Sequence, residues 1–563
     1  MTAKRRAPTA QQWRSRDFAL QNQTSSWHSK FQRFSSQRFH RFPPTVRLAL
    51  TANAAQRLRP VDSPDDVPHS EYLRRQQPLE RLRAHSRTTP LHRREQQLIW
   101  VIAAQLIFLP WAVGGELTWA QYVSLGFALA AFVLALLPRH YEAEAHRTDA
   151  FRLLMWPKLL RFPVFWLGLV FFGYVGVQML NPAWHFMHGP GQSWWMQAMP
   201  YNHALPHGIA GVPWSQIPPL ISVIAYLAAF LTVCAAWVGL TRRRSAVLLL
   251  TILVIDAALI ACFAIVQRIA GNGLMFGFWN PGVGYFVGPF IYKNHAGEYF
   301  NLMIAVAAAL GTYHFERTER RMLKSTPAGV FLFLAIVLGA TELISYSRAA
   351  TFLLLGYLIF LGVAFVIRMV RGHSAGNNPI VTISLLAILL AFVFIGANAL
   401  RLGEAWDKAQ ELFAQDRIGS IEMREVAAKA TWQMAGDAPW LGHGLGSFRF
   451  LFPAYQVRYP LITGSNNGVI RLFWRHAHND YAEFSAELGI LGLLPLIGML
   501  GFWAFQLIKN GVWRHPPLWI LALGLALTMM HSYVDFEAQN PAIIVTWCTL
   551  WPCLVRWLEF EEK

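Results

Sequence analysis

Arg242-Arg243-Arg244, followed at once by Ser245-Ala246-Val247-Leu248-Leu249-Leu250-Thr251-Ile252-Leu253-Val254-Ile255 and on to Gln267, decides the fold. The apolar run 245–267 is long enough to cross a hydrocarbon core of about 30 Å, which takes about 20 helical residues. Three cations packed against its start mark the side that stays cytoplasmic. Comparable runs recur at 98–113, 118–137, 162–180, 217–240, 296–315, 326–344, 350–367, 379–397, 484–508, 517–534 and 541–558. Backbone groups in lipid must find partners within their own segment, so each run reads as a helix. The expectation is an all-α polytopic membrane protein with about 12 transmembrane helices and one long helical periplasmic loop.

Composition agrees. Of 563 residues, 54% are hydrophobic and 14% charged, against about 25% charged in soluble proteins. A string of soluble domains is excluded. The net charge of +18 would ordinarily point to nucleic acid or an anionic surface, but its distribution says otherwise. Residues 1–97 hold 19 of the 49 Lys+Arg and 7 of the 31 Asp+Glu. This stretch is rich in Pro, Ser, Gln and Arg and reads as a basic, disordered cytoplasmic tail. A solvated tail that helps orient the protein, an arm lying on anionic lipid, and a transit peptide remain open for it. No nucleic-acid-binding fold follows, so no nucleic-acid partner is expected. Residues 98–563 form the membrane domain.

The loops test the topology. Arg242–Arg244, Arg317 with Arg320, Arg321 and Lys324, Arg368 with Arg371, and Lys509 with Arg514 fall on the side of the tail. Asn181–Gln216, on the other side, has no Lys, Arg, Asp or Glu. Both termini are therefore expected in the cytoplasm, and 398–483 outside. That long segment, with nine basic and nine acidic residues, has a surface helix over Glu422–Met434 and a tight Gly-rich turn over Pro439–Phe448. Cys234, Cys262, Cys548 and Cys553 all lie in apolar runs, which indicates buried thiols rather than disulfides or zinc.

Against that charge bias, Arg268, Lys293 and Arg348 are out of place. Arg348, at the junction of two apolar runs, is open to two readings: a snorkelling cation or part of a site for an anionic group such as a lipid phosphate. Asp256, Glu298, Glu342, Glu487 and Asp535 lie in or at the ends of apolar runs; such acids pair with cations or line a proton path. The densest cluster is Arg475-His476-Ala477-His478-Asn479-Asp480-Tyr481-Ala482-Glu483, with Glu487 beyond. His476-x-His478-x-Asp480 is open to a metal reading, but the further His of a binuclear site is replaced by Tyr481. Asn479 or Asp480 suits a helix N-cap, and an imidazole here suits a general base.

These pieces resemble the O-antigen ligase and polymerase superfamily of bacterial membrane glycosyltransferases. The resemblance runs from about Gly288 to Pro541. It rests on Pro289-Phe290-Ile291-Tyr292-Lys293-Asn294-His295-Ala296-Gly297, Tyr346-Ser347-Arg348, Arg424 to Trp432, and Pro439-Trp440-Leu441-Gly442-His443-Gly444-Leu445-Gly446-Ser447-Phe448. It continues through His476-Ala477-His478-Asn479-Asp480-Tyr481, Glu487-Leu488-Gly489 and His531-Ser532-Tyr533-Val534-Asp535-Phe536. The resemblance implies transfer of a glycan from undecaprenyl diphosphate to an acceptor hydroxyl at the periplasmic face of the inner membrane, with no cofactor and no metal. The acceptor would be another glycan, lipid A core or a protein hydroxyl. It further implies His478 as the catalytic base and Arg348 and Arg424 as diphosphate ligands, with Lys293 assisting. His476, Asp480, Tyr481 and Glu487 are possible supports. The Val534-Asp535-Phe536 ending leans towards a polymerase of surface or exopolysaccharide. A transporter or flippase of lipid-linked glycans is the non-enzyme alternative; the chain shows no paired halves of the kind transporters carry.

Overall fold

In the computed structural model the described residues are 91–141, 151–190, 193–271, 273–283, 285–321, 325–371, 420–464 and 470–561. The basic tail to residue 90, the expected span 379–397 and the start of the long loop, 398–419, lie outside them. The other eleven expected spans all fall on helices. These are α1 (Arg93–Trp111), α2 (Thr118–Leu136), α3 (Pro163–Leu180), α4 (Pro219–Gly239), α5 (Arg243–Ala270), α6 (Lys293–Arg321), α7 (Ala328–Ile344) and α8 (Arg348–Arg371); then, after the polar helix α9 (Ser420–Asp437), come α10 (Asp480–Lys509), α11 (Pro516–His531) and α12 (Pro541–Glu561). Seven of them, α2, α3, α4, α5, α8, α10 and α12, are long and apolar enough to cross a membrane, and α7 and α11 are shorter apolar helices. The molecule is a mainly helical, multi-pass membrane protein.

Burial sorts the spans into inner and outer ones. The apolar window of α12 is 83% buried, whereas that of α8 is 22% buried. A span surrounded by protein tolerates polar residues, and α12 accordingly buries Thr546, Thr549 and Arg556. Helix α8 instead exposes Phe352, Ile359, Phe360 and Val363, the surface a lipid-facing helix presents. Helix α6 packs against α5, α7 and α11, and α12 against α4 and α5. The α6–α8 contact is close: a Cβ on Gly297 would stand 2.6 Å from the Ala350 Cβ. Asn301 Nδ2 donates to the Ala350 carbonyl at 2.9 Å. This contact sets Lys293 and Arg348, the first residues of their helices, at the same end of the bundle.

Two departures from the expected all-helical picture matter. Asn181–Gln216, the loop without charged residues, contains a small sheet: β3 (Pro182–His188) pairs antiparallel with β4 (Trp194–Ala198) and parallel with β5 (Gly208–Ala210), after β1 (Arg139–Tyr141) and β2 (Phe151–Leu153) have paired earlier in the chain. Its Trp184, Met196 and Ile209 pack on the core under α9 formed by Ala427, Ala430, Met434 and Phe452.

The second departure is a break inside α10. Gly489 has φ 62° and ψ −178°, a conformation open essentially to glycine alone. The break frees helix carbonyls and amides, and the turn after α9 takes them up. His443 and Gly444 donate to the Ala486 and Glu487 carbonyls at 2.9 and 2.8 Å, and Ile490 and Leu491 donate to Pro439 and Trp440 at 2.8 and 3.1 Å. Tyr174 Oη and Gln178 of α3 close the remaining gaps at the Leu441, Glu487 and Leu488 carbonyls. Non-helical backbone beside a span is thereby satisfied entirely by protein.

Candidate functional site

Helix α10 begins with Asn479, whose side chain accepts from the Ala482 amide at 3.0 Å as an N-cap. Immediately before it, His478 adopts φ 52°, a left-handed conformation that non-glycine residues visit rarely and chiefly at sites. Asp480 then ties this start to the turn after α11: its amide donates to the Ser532 carbonyl at 2.9 Å, and its Oδ2 accepts from the Ala538 amide at 2.8 Å. That turn carries Asp535. The clamp brings His478 Nδ1 to 2.7 Å from Asp535 Oδ1.

Asp535 is fully buried and saturated with donors. Tyr292 Oη lies 2.9 Å from its Oδ2, the Asn294 amide also donates to Oδ2, and Arg424 Nη1 stands at 3.5 Å. Arg424, reaching in from α9, also donates through Nη2 to Tyr292 Oη at 2.9 Å. Burial alone would raise the Asp535 pKa. The hydrogen bond and charge of His478, with the Arg424 and His531 charges, outweigh it and hold the carboxyl well below its ordinary range. Tyr292 moves the other way: burial first, then the Asp535 charge, push its phenol up.

The cations expected at a diphosphate site come together here. Lys293 follows Tyr292 directly, and its pKa is lowered by burial and then by the Arg348 and Arg424 charges, which places all three on one patch. Arg348 opens α8 after a turn in which Ser347 accepts from the Ala350 amide at 3.3 Å, and its side chain is exposed. The patch is therefore short of anions: Asp535 is the one carboxylate that pairs with it among the described residues.

The four residues named as possible supports each meet a different partner. His476 Nδ1 faces Glu483 Oε1 at 2.9 Å and its ring stacks on Phe536 with centroids 4.7 Å apart. Burial, then the Arg449 and Arg475 charges, keep its pKa well below that of free imidazole. Asp480 is the clamp described above. Tyr481 Oη donates to the Met529 carbonyl at 2.8 Å, and Glu487 accepts from the Phe448 amide at 2.9 Å. His476, His478 and Asp480 thus turn to three different partners and do not converge as a metal site. Of the five acids in or beside the apolar runs, Asp535 alone meets an arginine. Asp256 accepts from Trp111, Glu342 from Thr351 and Glu298 faces His531.

Behind Asp535, His531 Nδ1 lies 2.8 Å from Glu298 Oε2 and its Nε2 3.5 Å from Glu537 Oε1, all fully buried. His531, Asp535 and Glu537 have ligand atoms within 4.8 Å of one another. Asp535, however, already serves His478, Tyr292, Asn294 and Arg424, so a cation there competes with the guanidinium.

Sequence reasoning placed His478, Arg348, Arg424 and Lys293 in one site, read Asp535 only as one of five acids that pair with cations or line a proton path, and passed over Tyr292 and Asn294. Their signal was available only as motif neighbours: Tyr292 and Asn294 flank Lys293, and Asp535 lies in the His531–Phe536 motif.

The family model described as O-antigen ligase matches residues 330–497, a stretch that contains Arg348, Arg424 and His478, while Lys293 and Asp535 lie outside it. No curated protein matches the chain. Over residues 330–497 the chain is thus similar to the O-antigen ligase family.

Proposed function

We propose that this protein transfers a glycan from undecaprenyl diphosphate to an acceptor hydroxyl at the periplasmic face of the bacterial inner membrane, with both termini in the cytoplasm. The observation that carries the reading is the His478–Asp535 pair at 2.7 Å set beside Arg424, Lys293 and Arg348. Asp535 accepts the Nδ1 proton and so leaves Nε2 free to act as base. Nε2 takes the proton of the acceptor hydroxyl as its oxygen attacks the anomeric carbon. The bond from that carbon to the phosphate oxygen breaks, and undecaprenyl diphosphate departs with the electron pair. Charge neutralisation is what this leaving group needs, and guanidinium forks with one ammonium supply it without a metal. Direct displacement inverts the anomeric configuration.

The test is transfer by the purified protein in nanodiscs, given a lipid-linked glycan and candidate acceptors. His478→Ala and Arg348→Ala are expected to slow product formation strongly; wild-type rates in either would overturn the assignment. In cells, shortened chains in a deletion strain indicate a polymerase, and full-length glycan held on undecaprenyl diphosphate a ligase.

A further inference from the structure

A second cationic cavity opens one aromatic ring away from His478. It has a volume of about 40 Å³, and its lining includes Gln121, Ser222, Tyr226, Arg449, Arg475 and Gln539. His476 forms part of the same wall. The His476 ring stacks on Phe536, and Phe536 meets the His478 ring edge-on with centroids 4.8 Å apart.

The cavity's charge is unbalanced. Among the described residues neither Arg449 nor Arg475 makes an ion pair. Burial and then the Arg475 charge pull Arg449 down to about 10, and Glu483 and Glu487 offset only part of this. Both acids are already engaged, Glu483 with His476 and the Ala477 amide, Glu487 with the Phe448 amide. Arg449 is half-buried and Arg475 exposed at the cavity's edge, and two like charges set side by side favour an anion between them.

Two amides in the same cavity are also incomplete. Gln121 is 7% exposed, and its Oε1 has no hydrogen-bond partner. Gln539 spends its Oε1 on the Tyr226 hydroxyl at 3.1 Å, while its Nε2 is buried without an acceptor. Buried amide groups left unpaired are costly. An acceptor and a donor, both unmet, match a hydroxyl, which gives one hydrogen bond and receives another. Water satisfies the amides but brings no charge. A cavity of this size holds about three water-sized bodies, enough for a carboxylate or phosphate head.

We propose that this cavity is an acceptor-side subsite for a negatively charged sugar unit, its carboxylate or phosphate on Arg449 and Arg475 and a ring hydroxyl between Gln121 and Gln539. It rests on the glycan-transfer reading above and adds the chemical class of the acceptor. The two cationic patches then divide the work: Arg348, Arg424 and Lys293 hold the leaving diphosphate, and Arg449 and Arg475 hold the incoming sugar beside the same base.

The test is equilibrium titration of the full-length protein in phosphatidylcholine nanodiscs with glucuronate, glucose 6-phosphate and glucose. The anionic sugars are expected to bind and glucose to bind at least about 10-fold more weakly, the scale of a charge-assisted hydrogen bond. Arg449→Gln and Arg475→Gln should each weaken anionic-sugar binding about 10-fold, with Arg475→Lys retaining most of it as the control for folding. Arg348→Gln should leave this binding within about 2-fold, because that charge lies in the other patch. Equal binding of glucose and the anionic sugars, or loss through Arg348→Gln in place of Arg449→Gln, would overturn the proposal. So would suppression of sugar binding by phosphatidylglycerol in the nanodisc through Arg449, which would make the ligand a lipid headgroup. Binding needs no turnover, so the two readings separate. Arg449-dependent binding without transfer to any acceptor keeps the subsite and removes the transferase, whereas transfer with no preference for charged sugars does the reverse.

Discussion

The two ends of the helix bundle handle buried charge in opposite ways. At the end away from the site, Glu95 and Arg139 form an ion pair at 2.7 Å with neither side chain exposed. Glu95 also accepts from the Thr241 amide at 2.9 Å and from the Ser245 hydroxyl at 2.5 Å. The last carbonyls of α4 each receive a cation: Lys158 Nζ donates to Val238 at 2.9 Å, Arg139 Nη2 to Gly239 at 2.7 Å and Arg556 Nε to Leu240 at 3.2 Å. Positive charge at a helix C-terminus both satisfies orphan carbonyls and meets the negative end of the dipole. There each of these charged side chains meets a carboxylate or a carbonyl of the protein. At the site end, Arg348 stands exposed, Arg424 shares one carboxylate with His478, and Arg449 and Arg475 have no ion pair among the described residues. Charge closed on itself stabilises a fold, and charge left open awaits a ligand.

Substitutions at each end test that contrast. The largest effect is expected at His478, where His478→Ala should lower transfer by about 10²–10⁴-fold, the contribution of a positioned base. Donor binding and thermal unfolding should stay near wild type, as read by product formation, titration and a melting curve. At the other end, Glu95→Ala leaves Arg139 buried without its partner, which costs about 3–5 kcal/mol. Its melting temperature should drop sharply, while transfer per folded molecule stays unchanged. If instead Glu95→Ala lowered turnover and spared stability, the contrast between the ends would collapse.

Arg348→Gln comes next. Loss of one charge-assisted contact should weaken donor binding by about 10- to 100-fold with little change in melting temperature. The smallest effect concerns acid. Asp535 has a folded-state pKa below its unfolded value, so it adds stability above about pH 4 that is lost as pH falls through the depressed folded value. Asp535→Asn should flatten the acid limb of stability measured between pH 5 and pH 2.

Where the sequence was informative, the reason is the membrane. A run such as 245–267 has one structural solution in lipid, so eleven of the twelve expected spans coincide with helices, and the twelfth lies outside the described residues. Pro439–Phe448 was legible as a turn because Gly442, Gly444 and Gly446 punctuate it, and all three have positive φ. The sheet at Pro182–Ala210 was not, because its strands alternate Trp, His and Met rather than apolar and polar residues. Asp480, Tyr481 and Glu487 were credited to the site for standing near His478 in sequence. Once α10 starts, their side chains turn to Ala538, Met529 and Phe448. Asp535 lies 57 residues from His478, and no local pattern reports a pairing at that distance. What joins them is the clamp of Asp480 on the turn after α11, a tertiary contact.

The interruption at Gly489 bears on how this protein can be taken apart. Four backbone hydrogen bonds cross from the turn after α9 to α10, and a Cβ at Gly489 would stand 2.5 Å from the Gly442 amide nitrogen. The polar segment that carries Arg424 is thus stitched into the span that His478 introduces. It is not a removable module: cut free of α10 it keeps its sequence and loses the edges that shape it. Grafting the segment onto a relative transfers its chemistry only when the broken helix travels with it.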